Sequence, residues 1–275
     1  MKKLEGKVAI VSGSGRGIGR AIAMKLASEG AKVVVNDLDT APAEETVADI
    51  KAAGGTALVC ASSVTEDGFA EKFVKTAVDG LGGLDIIVNN AGYTWDNVIQ
   101  KMTDEQWNAI IDVHLSAPFK ILRAAADFIR FNAKKEADAG QEIFRKVVNI
   151  SSIAGTGGNG GQANYSAAKA GVLGLTMALA KEWGRYKVNV NAVAFALIKT
   201  RMTAAAAGGD ATIDIAGRKI KSGINPDVLA MMDRMIPLGR AGTPEEAAGA
   251  VYLLCTPESN YISGQTLLCG GGFSM

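Results

Sequence analysis

Cysteine and histidine are scarce. Cys60, Cys255 and Cys269 stand far apart with no C-x-x-C pair, so no disulfide framework is expected, and the usage fits a reducing compartment. The single histidine, His114, leaves too few ligands for a catalytic zinc site, and no metal is expected. Neither sign of charge dominates: 29 Lys and Arg face 28 Asp and Glu, a net charge of +1, which gives no electrostatic footprint for nucleic acid. No apolar run approaches the roughly 18 residues of a membrane span. The run at 8–11 is too short for a signal-peptide core. The expected location is the cytoplasm, with neither nucleic acid nor membrane as partner. Linkers, internal repeats and low-complexity tails are also missing.

What is present is a soluble globule with 48% hydrophobic residues, enough for a well-buried core in one large α/β domain over 1–275. Short β-branched runs at 8–11, 32–36, 57–60, 84–89, 146–150, 187–193 and 265–268 read as strands. Several are continuously apolar, as strands buried on both faces of a parallel sheet are. Between them lie helical patterns such as Ile18, Ala21, Ile22 and Leu26. Seven strands alternating with helices predict an α/β, doubly wound, mostly parallel sheet with helices on both faces. Two stretches break the rhythm. Residues 131–145 read as a charged extension of a helix. Residues 201–240 form a long connection with the alanines at 204–207, Gly208-Gly209 and Met202, Met231, Met232 and Met235. A connection of that length is expected to be a substrate-side lid, placed at about 195–240. Its methionines fit either a lid or plain core packing.

After the first strand comes Ser12-Gly13-Ser14-Gly15-Arg16-Gly17-Ile18-Gly19, opening directly into a helix. Gly13, Gly17 and Gly19 allow a sharp turn and a close approach of backbone to a pyrophosphate, with the helix N-terminus facing the anion. Asp37 follows the second strand, 24 positions after Gly13. A carboxylate there accepts hydrogen bonds from an adenosine ribose and repels a 2′-phosphate, favouring NAD over NADP. Arg16 and Lys32 pull the other way, so NADP stays open. Asn36-Asp37 also fits a solvated turn.

Tyr165 and Lys169 are four apart at the start of a predicted helix, on one face. A neighbouring lysine cation is expected to lower the tyrosine pKa and fit it for acid–base work. Ser152, thirteen positions before Tyr165, ends a buried strand, where a hydroxyl can donate to a carbonyl oxygen.

These residues carry a resemblance over nearly the whole chain. Gly13, Gly17 and Gly19, then Asn89-Asn90-Ala91-Gly92, then Ser152, Tyr165 and Lys169 resemble, in order and spacing, the motifs of the short-chain dehydrogenase/reductase family. The run from Gly158 to Tyr165 is similar to 3-oxoacyl-acyl-carrier-protein reductases. His114 and Val35-Asn36-Asp37-Leu38 are similar to (3R)-hydroxyacyl-CoA dehydrogenases. The resemblance implies a Rossmann-like fold and a homotetramer or homodimer. It implies a nicotinamide cofactor held by Gly13, Arg16, Gly17, Ile18, Gly19, Asp37, Ser63, Val64, Asn90, Ala91, Gly92, Tyr165, Lys169, Ile198 and Thr200. It also implies catalysis by Ser152, Tyr165 and Lys169, with Lys169 binding the nicotinamide ribose.

The chain departs from that family at three places. His114 stands where the family has a catalytic Asn, either taking over its relay or merely satisfying backbone groups in a helix bend. Phe195-Ala196 replaces Pro-Gly, and Ser63 replaces an Asp near the adenine. Three functions are compatible: an NAD-linked dehydrogenase of a secondary alcohol or 3-hydroxyacyl thioester, an NADPH-dependent 3-oxoacyl-thioester reductase, and a catalytically weak nucleotide-binding partner subunit. The expected substrate pocket combines the 93–97 loop, the 154–162 loop and the 201–235 segment, with Trp95 and the methionines suggesting apolar walls.

Overall fold

A computed structural model describes residues 2–201, 203, 212–215, 217–221, 223 and 226–273. Met202, the alanines at 204–207 and Gly208-Gly209 lie outside the described residues. Seven parallel strands form one sheet: β1 (Val8–Val11), β2 (Lys32–Val35), β3 (Thr56–Val59), β4 (Ile86–Asn89), β5 (Arg145–Ser152), β6 (Val188–Phe195) and β9 (Thr266–Cys269). Their spatial order is β3-β2-β1-β4-β5-β6-β9. Successive side chains alternate between the two faces, as the twofold period of a strand requires. Ala9, Val11, Val33 and Val35 pack with α1 (Gly17–Ser28), α2 (Thr40–Ala52) and α9 (Pro244–Cys255). Val8, Ile10, Val34 and Ile87 pack with α3 (Phe69–Leu81), α5 (Ala117–Asp138) and α7 (Ala163–Trp183). Burial on both faces is why these strands read as unbroken apolar runs.

Two short helices complete the site-bearing end. α4 (Asp104–Ile111) begins at a capping box, in which Thr103 Oγ1 accepts from Gln106 N and Gln106 Oε1 accepts from Thr103 N. It passes through one π turn, Asp112–Ser116, into α5. α6 (Ile153–Gly157) follows β5 directly.

The 201–240 connection carries structure that a loop reading misses. β7 (Thr212–Ile215) and β8 (Arg218–Lys221) form an antiparallel hairpin, followed by α8 (Pro226–Met235). Met232 packs with Leu197, Ile236 and Ala241 in a satellite core, while Met231 and Met235 are exposed.

The charged stretch before β5 also has a physical reason. α5 runs on to Asp138 and brings Glu136 to Arg145 at the start of β5, with Arg145 Nη1 donating to Glu136 Oε2 at 2.8 Å. Arg145 Nε also donates to Leu84 O at 3.3 Å. A buried guanidinium is tolerated only because its charge and its N–H groups are both answered. Glu136→Gln, which removes that charge and leaves Arg145 buried, is expected to cost about 3 kcal/mol in urea unfolding. A loss below about 1 kcal/mol would mean that the pair holds no buried charge in place.

Candidate active site

The strand order reverses between β1 and β4, and a cleft of about 820 Å³ opens at the carboxyl ends of the strands there. Every residue expected to serve catalysis or cofactor binding lines it. Close approach of the two loops explains the glycines. Gly13 has φ +61°, and a Cβ built on it would lie 2.7 Å from Ala91 Cα. A Cβ on Gly19 would collide with the Gly13 carbonyl oxygen. Ser12 Oγ accepts from Asn90 N and Ala91 N, both at 3.0 Å. Asn90 Nδ2 donates to the carbonyls of Ser12 and Gly13, both at 2.9 Å. Asn90 thus ties the β4 loop to the glycine turn. The first turn of α1 has no side-chain cap, so its N–H groups are left for an anion in the cleft. That cradle fits a dinucleotide pyrophosphate.

Asn36 is not a solvated turn residue. It is 1% exposed; its Oδ1 accepts from Gly13 N at 3.1 Å, and its Nδ2 donates to Cys60 O and Ser62 O. Asp37 Oδ2 accepts from Gly15 N at 3.1 Å, which fixes the carboxylate over the glycine turn. Arg16 pairs with the two acids after β2: its Nη1 lies 2.7 Å from Asp39 Oδ2 and 3.7 Å from Asp37 Oδ1. Ser63 and Val64 line the cleft beyond them.

Asn164 fixes the start of α7, and with it the next residue, Tyr165. Its Oδ1 accepts from Tyr165 N at 2.8 Å, and its Nδ2 donates to Trp95 O and Gln106 O, both at 3.1 Å. Lys169 Nζ donates to Ile150 O at 2.7 Å and lies 5.6 Å from the Tyr165 ring centre. Ser152, the last residue of β5, caps α6 by accepting from Ala154 N at 3.2 Å. The expected lowering of the tyrosine pKa is reversed. Burial pushes the Tyr165 hydroxyl up to about 12, opposed by its bond with Ser152 and reinforced by the Asp96 charge. Burial brings the Lys169 ammonium down to about 7, so it is half-charged near neutrality.

His114 sits on the π turn, edge-on to Tyr165 with ring centres 5.0 Å apart. Nε2 lies 2.7 Å from Tyr93 O, which can only accept, so the proton is on Nε2, and the buried Nδ1, without a partner among the described residues, is a bare acceptor. Burial, then the Lys169 charge, holds the ring well below the ordinary histidine pKa. Gly92 makes the room: a Cβ there would collide with the ring.

On the far wall, Ala196 N donates to Cys269 O at 3.1 Å, and Ala196 does not adopt a positive φ, so alanine serves where the family has glycine. Ile198 and Thr200 follow; Thr203 Oγ1 accepts from Thr200 N at 2.8 Å and donates to Ile198 O at 2.6 Å.

A family model described as enoyl-(acyl carrier protein) reductase matches residues 13–274. The chain belongs to the short-chain dehydrogenase/reductase family. The 3-oxoacyl-(acyl-carrier-protein) reductase FabG of Vibrio harveyi is 40% identical over 273 residues, covering 99% of this chain and 99% of that protein. A hydroxyacyl-CoA dehydrogenase of Mycobacterium tuberculosis is 40% identical over 273 residues, covering 98% of this chain and 78% of that protein. A crystal structure of a dehydrogenase/reductase from Sinorhizobium meliloti has a TM-score of 0.82 at 29% identity, covering 98% of this chain and 96% of that one. The chain is therefore an oxidoreductase acting on CH–OH and C=O groups with a nicotinamide cofactor.

The family motifs do not reach the substrate end. The expected 93–97 loop, 154–162 loop and 201–235 segment all contribute there, with Asp96, Gln162 and Arg218 among them, whereas Glu105 on α4 and Asp112 on the π turn escape a sequence reading. The described methionines and Trp95 do not line the cleft; Trp95 instead lies under the Arg218 guanidinium at 5.6 Å. Asp39 had a faint signal as the second acid in Asp37-Leu38-Asp39.

The buried lysine has a stability consequence. Folding lowers the Lys169 pKa from 10.5 to about 7, so the unfolded chain binds more protons between those values and stability rises with pH there. Between pH 7 and 8.5 its share is about 1–2 kcal/mol. Lys146, lowered to about 8 by burial, acts in the same sense. Urea unfolding of Lys169→Met is expected to give a shallower rise than the parent chain; an identical rise would put the titration elsewhere.

Proposed function

We propose that the chain interconverts a secondary alcohol or 3-hydroxyacyl thioester with its ketone, using NAD(H). The observation that carries the reaction is the meeting of Ser152, Tyr165 and Lys169 in one cleft beside an uncapped helix N-terminus. When bound, the nicotinamide supplies or accepts the hydride. Tyr165 takes the hydroxyl proton in oxidation and returns it in reduction, and Ser152 positions the substrate oxygen. Lys169 holds the nicotinamide ribose and, when charged, favours the phenolate. With a pKa of about 7, it exchanges protons near neutrality. His114 offers Nδ1 as a fixed acceptor in that proton path. Both kinds of relative cited above are named for acyl thioester chemistry, which supports the thioester half of the reading.

The cofactor choice rests on charge. Asp37 and Asp39 flank one guanidinium, leaving a net negative corner at the expected ribose position. A 2′-phosphate there meets two carboxylates before it meets a free cation. NADPH-linked reduction remains the second reading, because Arg16 itself lines the cleft. Residues 1–275 are read as one domain, with 195–240 as a substrate-side lid. Exposed apolar side chains on α5 and α7 (Phe119, Met177) and along α9 and the edge strand β9 (Leu253, Leu267, Leu268) support a homodimer or homotetramer.

Reduction of ketones and 3-oxoacyl thioesters, followed at the nicotinamide absorbance band with NADH and NADPH, tests the activity. Tyr165→Phe should lower kcat at least about a thousandfold with NAD affinity largely kept; retained turnover would remove Tyr165 from the chemistry. Asp37→Ala and Asp39→Asn should each narrow the NADH/NADPH ratio of kcat/KM by about tenfold. Ratios unmoved by both would refute the charged-corner account.

A further inference from the structure

The substrate end of the cleft is unevenly charged. Its described lining carries the carboxylates of Asp96, Glu105, Asp112 and Asp214 against the guanidiniums of Arg201 and Arg218. Most of these charges are tied down locally. Arg218 Nε meets Glu105 Oε1 at 3.0 Å. Asp112 Oδ1 accepts from Ser116 Oγ at 3.3 Å, and Asp214 Oδ1 closes the hairpin turn by accepting from Gly217 N at 2.8 Å.

Asp96 belongs instead to the catalytic wall. Its Oδ2 accepts from Gln162 Nε2 at 2.7 Å, and Gln162 Oε1 accepts from Asn159 Nδ2 at 2.9 Å. Asn97 N donates to Gly161 O at 2.9 Å, and Asn97 and Gln162 pair as a parallel bridge. The loop after β4 is thereby stitched to the turn that feeds α7, and Gln162 stands three residues before Tyr165. This stitching holds the Asp96 carboxylate close enough to Tyr165 for its charge to disfavour the phenolate. Such a charge works against any chemistry that builds negative charge on the neighbouring oxygens. A polar but neutral side chain would hold Gln162 as well without that cost. The charge therefore calls for a role in selection.

We propose that Asp96 is a specificity-determining residue: it rejects carbonyl compounds that carry a carboxylate next to the reacting centre and admits those in which that group is masked as an ester or thioester. The inference rests on the carbonyl-reduction reading above and sharpens its substrate class. Two carboxylates about 6 Å apart, at an effective dielectric constant of about 20–40, repel by an amount equal to about ten- to hundredfold in affinity. Selection by a repulsive element is a general route to specificity between compounds of the same shape.

Acetoacetate and ethyl acetoacetate share the reacting ketone and differ in charge. Their dissociation constants can be read from tryptophan fluorescence, with kcat/KM for reduction measured in parallel. The parent chain is expected to bind the ester at least about tenfold more tightly than the acid. Asp96→Asn keeps an acceptor oxygen for Gln162 Nε2 and removes only the charge, so the acid-to-ester ratio of dissociation constants should fall at least about tenfold. Asp96→Glu, which keeps the charge, should retain the parent ratio. No preference in the parent chain, or a ratio unmoved by Asp96→Asn, overturns the charge filter. Discrimination in binding with neither compound reduced by either nicotinamide leaves the filter standing and strikes the carbonyl-reduction reading instead.

Discussion

Strand β1 pairs with β2 on one side and β4 on the other, and that single reversal constrains the rest of the molecule. The chain leaving β1 enters α1 on one face of the sheet, whereas the chain leaving β4 travels to α4 and α5 on the opposite face. Their loops part just beyond the strand ends, and the parting is the cleft. Diverging loops would leave buried backbone groups unpaired, and the polar side chains at those strand ends answer them. Ser12, Asn36 and Asn90 together satisfy groups on the glycine turn, the β4 loop and the β3 loop. The buried polar residues there are the hinge pins of a crevice that apolar packing alone would close.

Further along the same edge, burial sets the chemistry. Tyr165, Lys169 and His114 are each driven toward their neutral forms, the tyrosine upward and the two bases downward. Low dielectric is the common cause, and in the proposed reaction it leaves the lysine as a proton carrier and the histidine as a fixed acceptor. The tyrosine needs positive charge close by before it can give up its proton. In the proposed reaction that charge comes from Lys169, 5.6 Å from the ring, which carries it in part near neutrality.

The legible parts of the sequence were those with a local physical signature. β1 and β2 are short runs rich in β-branched residues, and the structure ends each within one residue of its expected limit. β5 runs past the expected 146–150 by Arg145 at its start and Ser151-Ser152 at its end, and the burial of Arg145 rests on Glu136, nine residues away on another element. The β7–β8 hairpin did carry a twofold pattern in Thr212-Ile213-Asp214-Ile215, but its length and the surrounding glycines and alanines masked it. At the site, residues on strand ends were readable, since glycine spacing and a tyrosine–lysine pair are set by nearby backbone. The three segments holding Asp96, Gln162 and Arg218 were readable as pocket walls, but the pairings Asp96–Gln162 and Arg218–Trp95 were not, because no spacing rule links separate segments.

The charges that line the cleft among the described residues share one arrangement. At the glycine-turn end, two carboxylates flank Arg16; at the substrate end, carboxylates outnumber Arg201 and Arg218. Between them lie the buried tyrosine and histidine and a half-charged lysine. On the proposed reading, an anionic group meets carboxylates at both ends of the cleft and unanswered backbone N–H groups at the uncapped N-terminus of α1. Because opposition costs more than a missing contact of similar size, a cleft charged in that way selects more by what it refuses than by what it holds.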